Sequence, residues 1–329
     1  MIITKTPYRM SFFGGGTDYP SHYLQHGGQV ISCSFNKYCY ISCRRLPPFF
    51  EHKHRIVYSQ VENVNRASEI KHPAVRAILS EFEDEHGLEI HHDGDLPARS
   101  GLGSSSSFVV GLLHALRAQK GQLSNKEFLA KEAIRIEQSV MKEHVGSQDQ
   151  IAAAYGGFNN IQFFQDGSFR VNPVIAPKKT FETLNSNLLL FFTGLTRFAS
   201  DIAKEQINNT NRNISNLNEM NGQVDEAIKI LNGNERHLHD FGLLLNEAWK
   251  LKRGLSSQIT NSLVDDVYEK AIKNGALGGK LLGAGGGGFI VFYADAEKHE
   301  NIKKSLSELI NIPFDFESGG SSIVSYEPE

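Results

Sequence analysis

The sequence predicts an α+β protein of two domains. Three observations carry that prediction. At roughly 150 residues per domain, a chain of 329 residues makes about two. Strand-like and helix-like segments alternate without the regular strand-helix-strand repeat of a single doubly wound sheet. A polar stretch with two prolines, Pro173 and Pro177, interrupts the chain near its middle, which divides it into residues 1–175 and 176–329.

Each element follows from local pattern. Residues 29–42 (QVISCSFNKYCYIS) are rich in β-branched and aromatic side chains and read as a strand, with a shorter one at 55–58. Residues 108–116 (FVVGLLHAL) are apolar nearly all round and run to Gly121, the pattern of a buried helix. Ser124-Asn125-Lys126-Glu127 reads as a capping box. Behind it Phe128, Leu129, Ala133, Ile134, Ile136, Val140 and Met141 recur at helical spacing, so a second helix is expected to about His144. Another strand-like run starts at Phe158 and is followed by the turn Gln165-Asp166-Gly167-Ser168. The second half opens with a strand at 188–192 and turns polar and helical from 201 to 252, with a break at Asn232-Gly233-Asn234. It closes with a β-rich tail. The Asn-rich stretch 208–218 reads as a mobile connection, and Trp249, with Leu243, Leu244 and Leu251, as core packing.

Composition excludes several classes. Lysine and arginine total 34 against 37 aspartates and glutamates, a formal net charge of −3 without long runs of one sign, which argues against nucleic-acid or anionic-membrane partners. No apolar run reaches the roughly 18 residues of a membrane span. The N-terminus lacks the basic and apolar regions of a signal peptide. Cys33, Cys39 and Cys43 are odd in number and lack CxxC spacing, so a reducing, cytoplasmic setting is expected. His52, His54, His91 and His92 fall in segments that read as exposed loops, and no spacing among them builds a metal site.

The chemistry concentrates in three glycine clusters. Leu96-Pro97-Ala98-Arg99-Ser100-Gly101-Leu102-Gly103-Ser104-Ser105-Ser106-Ser107 runs directly into the buried helix. Glycines let backbone wrap an anion, a helix N-terminus supplies unpaired N–H groups, and serine hydroxyls donate hydrogen bonds or ligate a metal. Together they read as a phosphate cradle. It is no Walker A loop, since GxxxxGK[ST] is absent and Gly278-Gly279-Lys280 continues with Leu281. The GxGxxG formed by Gly283, Gly285 and Gly288 precedes a strand-like run, the reverse of the dinucleotide-binding order. The third cluster, Pro7 to Tyr19, places Arg9 and Asp18 around Gly14-Gly15-Gly16.

In order and spacing, these clusters resemble the three motifs of the GHMP small-molecule kinases. The resemblance covers nearly the whole chain and implies a ribosomal-S5-like N-terminal domain, a ferredoxin-like C-terminal domain and an active site between them, using ATP and Mg²⁺. It implies that Arg9 lies beside the transferred phosphoryl group. Asp18, Gly15, Gly16 and Thr17 would meet the substrate. Pro97, Gly101, Leu102, Gly103, Ser104, Ser105 and Ser106 would hold ATP. Ser105 and Glu137 would ligate Mg²⁺, and Asp149, in Gly146-Ser147-Gln148-Asp149-Gln150, would be the catalytic base. The Glu-His pair of galactokinases is replaced by Gly15-Gly16, implying a different substrate. Thr193-Gly194-Leu195-Thr196-Arg197 and the ending around Gly285 look most like the branch acting on D-glycero-D-manno-heptose 7-phosphate at its anomeric hydroxyl, a step toward nucleotide-activated heptose. Thr193, Arg197 and Gly285 are therefore further substrate candidates. Arg99, Arg197 and Lys280 are the candidates for gripping a substrate phosphate. A galactose- or fucose-type free-sugar kinase and a non-catalytic sugar sensor are the alternatives, and the presence of both Asp149 and Glu137 favours the enzyme. The sequence leaves the oligomeric state open.

Overall fold

The computed structural model describes residues 1–82, 86–98, 100–195, 199–233 and 237–328, with backbone alone at 199–201. The chain begins β1 (Ile2–Phe13), α1 (Pro20–His26), β2 (Gly28–Leu46), β3 (His54–Val57), β4 (Val61–Val64), α2 (Pro73–Glu81), β5 (Gly87–Gly94) and α3 (Ser104–Gln119). It continues with α4 (Lys126–Ile134), α5 (Gln148–Tyr155), β6 (Phe158–Phe163), β7 (Phe169–Pro173), α6 (Lys178–Ser186), β8 (Leu188–Phe192), α7 (Ala199–Asn208) and α8 (Ile214–Asn232). Last come α9 (Leu238–Arg253), α10 (Ser262–Lys273), β9 (Gly278–Leu281), β10 (Phe289–Tyr293), α11 (His299–Ser305), β11 (Ile310–Ile312), β12 (Phe316–Glu317) and β13 (Ser322–Tyr326). No helix among the described residues is long and apolar enough to cross a membrane.

Among the described residues, nine strands form one sheet organised on β2, which is long enough to serve two sets of neighbours. Its first half pairs with β6 (Gly28 opposite Phe163) and its second with β5 (Leu46 opposite Gly87), while β1 runs antiparallel along its other edge. A second, four-stranded antiparallel sheet has the order β11-β8-β10-β9. Apart from β3, which pairs with β5 in parallel, both sheets are antiparallel, and with their segregated helices they make the α+β architecture the sequence predicts. We propose the division near residue 175, across which β12 and β13 return to pair with β2 and β1 of the first sheet.

Helix α3 packs its largely apolar stretch 108–116 against β1 and β2, and Thr4 Oγ1 donates to the Gly111 carbonyl at 3.0 Å. The two halves meet through aromatic rings: Phe12 and Phe13 at the end of β1 set their centroids 5.4 and 5.1 Å from Phe241 of α9, edge to face. This contact sits directly behind Gly14-Gly15-Gly16. The Trp249 ring is fully buried, as expected, whereas Leu243 is half exposed.

Several local expectations are corrected. Asn125, not Ser124, caps α4, accepting from the Phe128 N–H at 2.7 Å, while the Ser124 hydroxyl accepts from Arg117. The helix does not run regularly to His144; beyond Ile134 it widens into a π-helical turn over Arg135–Val140. The Asn-rich stretch is helical rather than a mobile connection, because Leu217, Met220 and Val224 of α8 form a buried face. The tail is not purely β, since α11 lies within it. His54 and the pair His91 and His92 lie in β3 and β5, not in loops; His54 is buried. Among the described residues no group of three or more His, Cys, Asp or Glu could hold a metal ion.

Candidate active site

Arg9 projects from β1 with its guanidinium almost wholly enclosed. Its Nε and Nη2 donate to the two carboxylate oxygens of Asp149 at 2.8 and 2.7 Å, and its Nη1 donates to the Gly101 carbonyl at 2.7 Å. Such a fork fixes the plane of the carboxylate as well as its position. Asp149 stands in the first turn of α5, where a carboxylate complements the helix dipole. Its Oδ2 lies 3.3 Å from where a Cβ on Gly103 would sit, so the carboxylate abuts the glycine-serine loop.

That loop is shaped by left-handed backbone. Gly101 (φ +84°) and Gly103 (φ +74°) adopt conformations that side chains resist, and Gly103 caps α3. A Cβ on Gly101 would meet the Leu282 carbonyl oxygen at 2.4 Å, and one on Gly283 would meet the Gly101 Cα at 2.4 Å. The glycine-serine loop and the C-terminal glycine loop therefore pack backbone against backbone. The Phe289 N–H also donates to the Ser100 carbonyl at 3.2 Å. The first N–H groups of α3 face out of the helix end, as at any helix N-terminus. Pro97 accepts from the Ser100 hydroxyl at 2.6 Å, and Leu102 contributes backbone only, its side chain being buried and its carbonyl accepting from the Arg9 N–H.

Glu137 lies in the π-helical turn and is 1% exposed. Ser105 and Ser106 of α3 donate to its two oxygens at 2.9 and 2.7 Å, and the Gln150 amide donates as well. Burial pushes the Glu137 carboxyl up to about 7, against the pull of these hydrogen bonds. These three donors, two hydroxyls and an amide, are all neutral. A deprotonated carboxylate beside a serine hydroxyl is a hard-oxygen pair suited to a small divalent cation.

Asp18 is also buried. The Gly16 N–H donates to its Oδ1 at 2.9 Å and the Gln148 N–H reaches Oδ2 at 3.4 Å, while burial raises its pKa. Two neighbouring candidates have internal roles. The Thr17 hydroxyl bonds the Gly14 and Gln29 carbonyls at 2.8 and 3.0 Å, and the Thr193 hydroxyl donates to the Gly288 carbonyl at 2.9 Å. Gly285 packs its backbone against Ile259. Arg99, Thr196 and Arg197 lie outside the described residues.

Lys280 is not the surface or phosphate-gripping side chain expected of it. It is buried and donates to the Phe12 carbonyl at 2.7 Å, with its pKa drawn well below the ordinary range by burial and by Lys252. Lys252, which sequence reasoning missed, donates to the Leu281 carbonyl at 3.0 Å and to the Gly283 carbonyl. Burial and the neighbouring Arg9 pull it down to about 7. Ending α9 among Lys250 and Arg253, it reads in sequence as an ordinary complement to the helix dipole.

A loop fit for a polyanion, with an oriented carboxylate beside it, is the arrangement required to move a phosphoryl group onto an alcohol. This chain is a phosphotransferase. Residues 68–157 match the GHMP kinases N terminal domain and residues 212–311 the GHMP kinases C terminal family, and the chain belongs to the GHMP kinases, which take ATP as phosphate donor. It is similar to the D-glycero-alpha-D-manno-heptose 7-phosphate kinase of Campylobacter jejuni, 30% identical over 93% of each chain. It is 27% identical to the bifunctional fucokinase/GDP-fucose pyrophosphorylase of Arabidopsis thaliana over 92% of this chain and 31% of that one. A crystal structure of a D-glycero-D-manno-heptose 1-phosphate kinase from Bacteroides thetaiotaomicron superposes with a TM-score of 0.81, at 22% identity, covering 99% of this chain and 100% of the other. At that identity the superposition speaks to fold alone.

Proposed function

We propose that the protein phosphorylates the anomeric hydroxyl of a sugar phosphate, converting D-glycero-D-manno-heptose 7-phosphate to the 1,7-bisphosphate in the cytoplasm. The observation that carries this reading is the end-to-end similarity to the Campylobacter jejuni heptose 7-phosphate kinase. The missing side chains at Gly15 and Gly16 support it, because a free hexose would lack the contacts that galactokinase-like sites supply. A terminal phosphate offers a stronger handle than a neutral hydroxyl.

In this reading the loop from Pro97 to Ser106 holds the ATP phosphates through backbone N–H groups and serine hydroxyls. Asp149 orients the acceptor hydroxyl and takes its proton, and Arg9 holds that carboxylate while facing the phosphoryl group. Ser105 and Glu137 would hold Mg²⁺, whose chemistry is to offset charge on the phosphate oxygens. The fit rests on a buried carboxylate held by the neutral donors Ser105, Ser106 and Gln150. Glu137→Gln and Ser105→Ala are each expected to raise the Mg²⁺ concentration at half-maximal activity by about tenfold, because each removes an oxygen ligand or its charge. Unchanged magnesium titrations in both variants would place the metal elsewhere.

The substrate is tested by ADP release over heptose 7-phosphate, unphosphorylated heptose, galactose and fucose. The phosphorylated heptose is expected to exceed the free sugars in kcat/KM by about 100-fold. Comparable values for a free sugar would refute the phosphate handle and favour the fucose-type reading that the Arabidopsis relative supports. A product that keeps its reducing end would refute the anomeric position.

A further inference from the structure

Two buried polar atoms next to the candidate base have no partner among the described residues. Ser11 Oγ, on β1 two residues beyond Arg9, and Gln148 Oε1, on the residue before Asp149, form no hydrogen bond with any of them, although both side chains are more than nine-tenths buried. Leaving such atoms unmet costs free energy, and a binding site is a place where that cost is recovered when the ligand arrives. Both side chains converge on Gly15. A Cβ placed there would stand 3.6 Å from Ser11 Oγ and 3.9 Å from Gln148 Nε2. The space between them exists because residue 15 carries no side chain.

We infer that Ser11 and Gln148 form a subsite for a neutral sugar hydroxyl, the one on the carbon adjacent to the hydroxyl that is phosphorylated. The inference rests on the proposed sugar kinase reading and names two further specificity residues within it. Hydrogen-bond capacity decides the class of group. The Asp18 carboxylate accepts from the Gly16 and Gln148 N–H groups alongside, and the unmet Gln148 oxygen can only accept, so a hydroxyl, which donates to that oxygen and exchanges a bond with Ser11, fits where a phosphate oxygen would not. Adjacency fixes which hydroxyl. Arg9, which holds the Asp149 carboxylate, and Ser11 stand two apart on β1, where alternate residues share a face, so the subsite lies beside the base and is assigned to the hydroxyl on the neighbouring carbon. A site built to bond a hydroxyl discriminates strongly against an analogue that lacks it.

The test compares heptose 7-phosphate with its 2-deoxy analogue in wild type, Ser11→Ala and Gly15→Ala. Residue 15 is not among the left-handed glycines and its nearest neighbour would be at ordinary contact distance, so the added methyl occupies the subsite without disturbing the fold. Ser11→Ala is expected to lower kcat/KM about tenfold on the 2-hydroxy sugar and less than twofold on the 2-deoxy sugar. Gly15→Ala is expected to raise KM for the 2-hydroxy sugar more than for its analogue. Equal losses on both sugars, or no loss on either, would overturn the subsite. If wild type instead prefers a different acceptor, the substrate reading fails, and the same comparison on that acceptor and its deoxy form still decides the subsite.

Discussion

Asp149→Asn is expected to lower kcat by about 10²-fold or more while nucleotide affinity changes little. The substitution keeps the shape of the side chain and its place at the start of α5 but removes the capacity to accept a proton. It also breaks the paired bonds at 2.8 and 2.7 Å from Arg9, since an amide turns one N–H toward a guanidinium that has only donors. Arg9 keeps its third bond to the Gly101 carbonyl, so the glycine-serine loop remains anchored and ATP binding is preserved. Steady-state turnover measured beside a nucleotide titration separates the two effects. Near-normal kcat would refute the assignment of the base, and a parallel loss of ATP affinity would make Asp149 a support for the loop instead.

Gly101→Ala should be as damaging by a different route. Its backbone lies at φ +84°, where a side chain costs roughly 1–2 kcal/mol, and the new methyl would sit 2.4 Å from the Leu282 oxygen and 3.0 Å from its carbonyl carbon. The obstacle is backbone held by Lys252, whose ammonium grips the Leu281 and Gly283 carbonyls on either side. The two loops must therefore part. Expected results are a fall in thermal midpoint of a few degrees, at roughly 1–2 °C per kcal/mol for a chain of this size, and a loss of about 10²-fold in kcat/KM for ATP. Wild-type melting and kinetics together would show that the contact between the loops is dispensable.

How far the sequence spoke depended on the range of each interaction. The phosphate cradle was legible because its glycines, serines and following helix are contiguous, and local backbone chemistry determines what they do. The partnership of Ser105 with Glu137 spans 32 residues and depends on a π-helical turn, which a period of 3.6 cannot express; only the family resemblance paired them. Lys252 and Lys280 were hidden by their type. A lysine ending a helix or following two glycines reads as solvated, and only the packing of α9 and β9 against β1 shows that both are buried and bonded to carbonyls. Thr17 and Thr193 show a role that motif position does not express: their hydroxyls hold neighbouring backbone in place.

The return of the chain to its own beginning has a consequence for biosynthesis. β13 pairs with β1 from Ile2 opposite Tyr326 to Lys5 opposite Ser322, and β12 fills the neighbouring stretch against Phe35 and Ser34. The first sheet therefore waits, with one edge bare, until almost all of these 329 residues have been translated. At roughly 5–20 residues per second, tens of seconds separate the emergence of β1 from that of its last partner. During that interval the outer edge of β1 at Ile2–Lys5 keeps its N–H and carbonyl groups unpaired, the kind of edge that invites pairing with another chain.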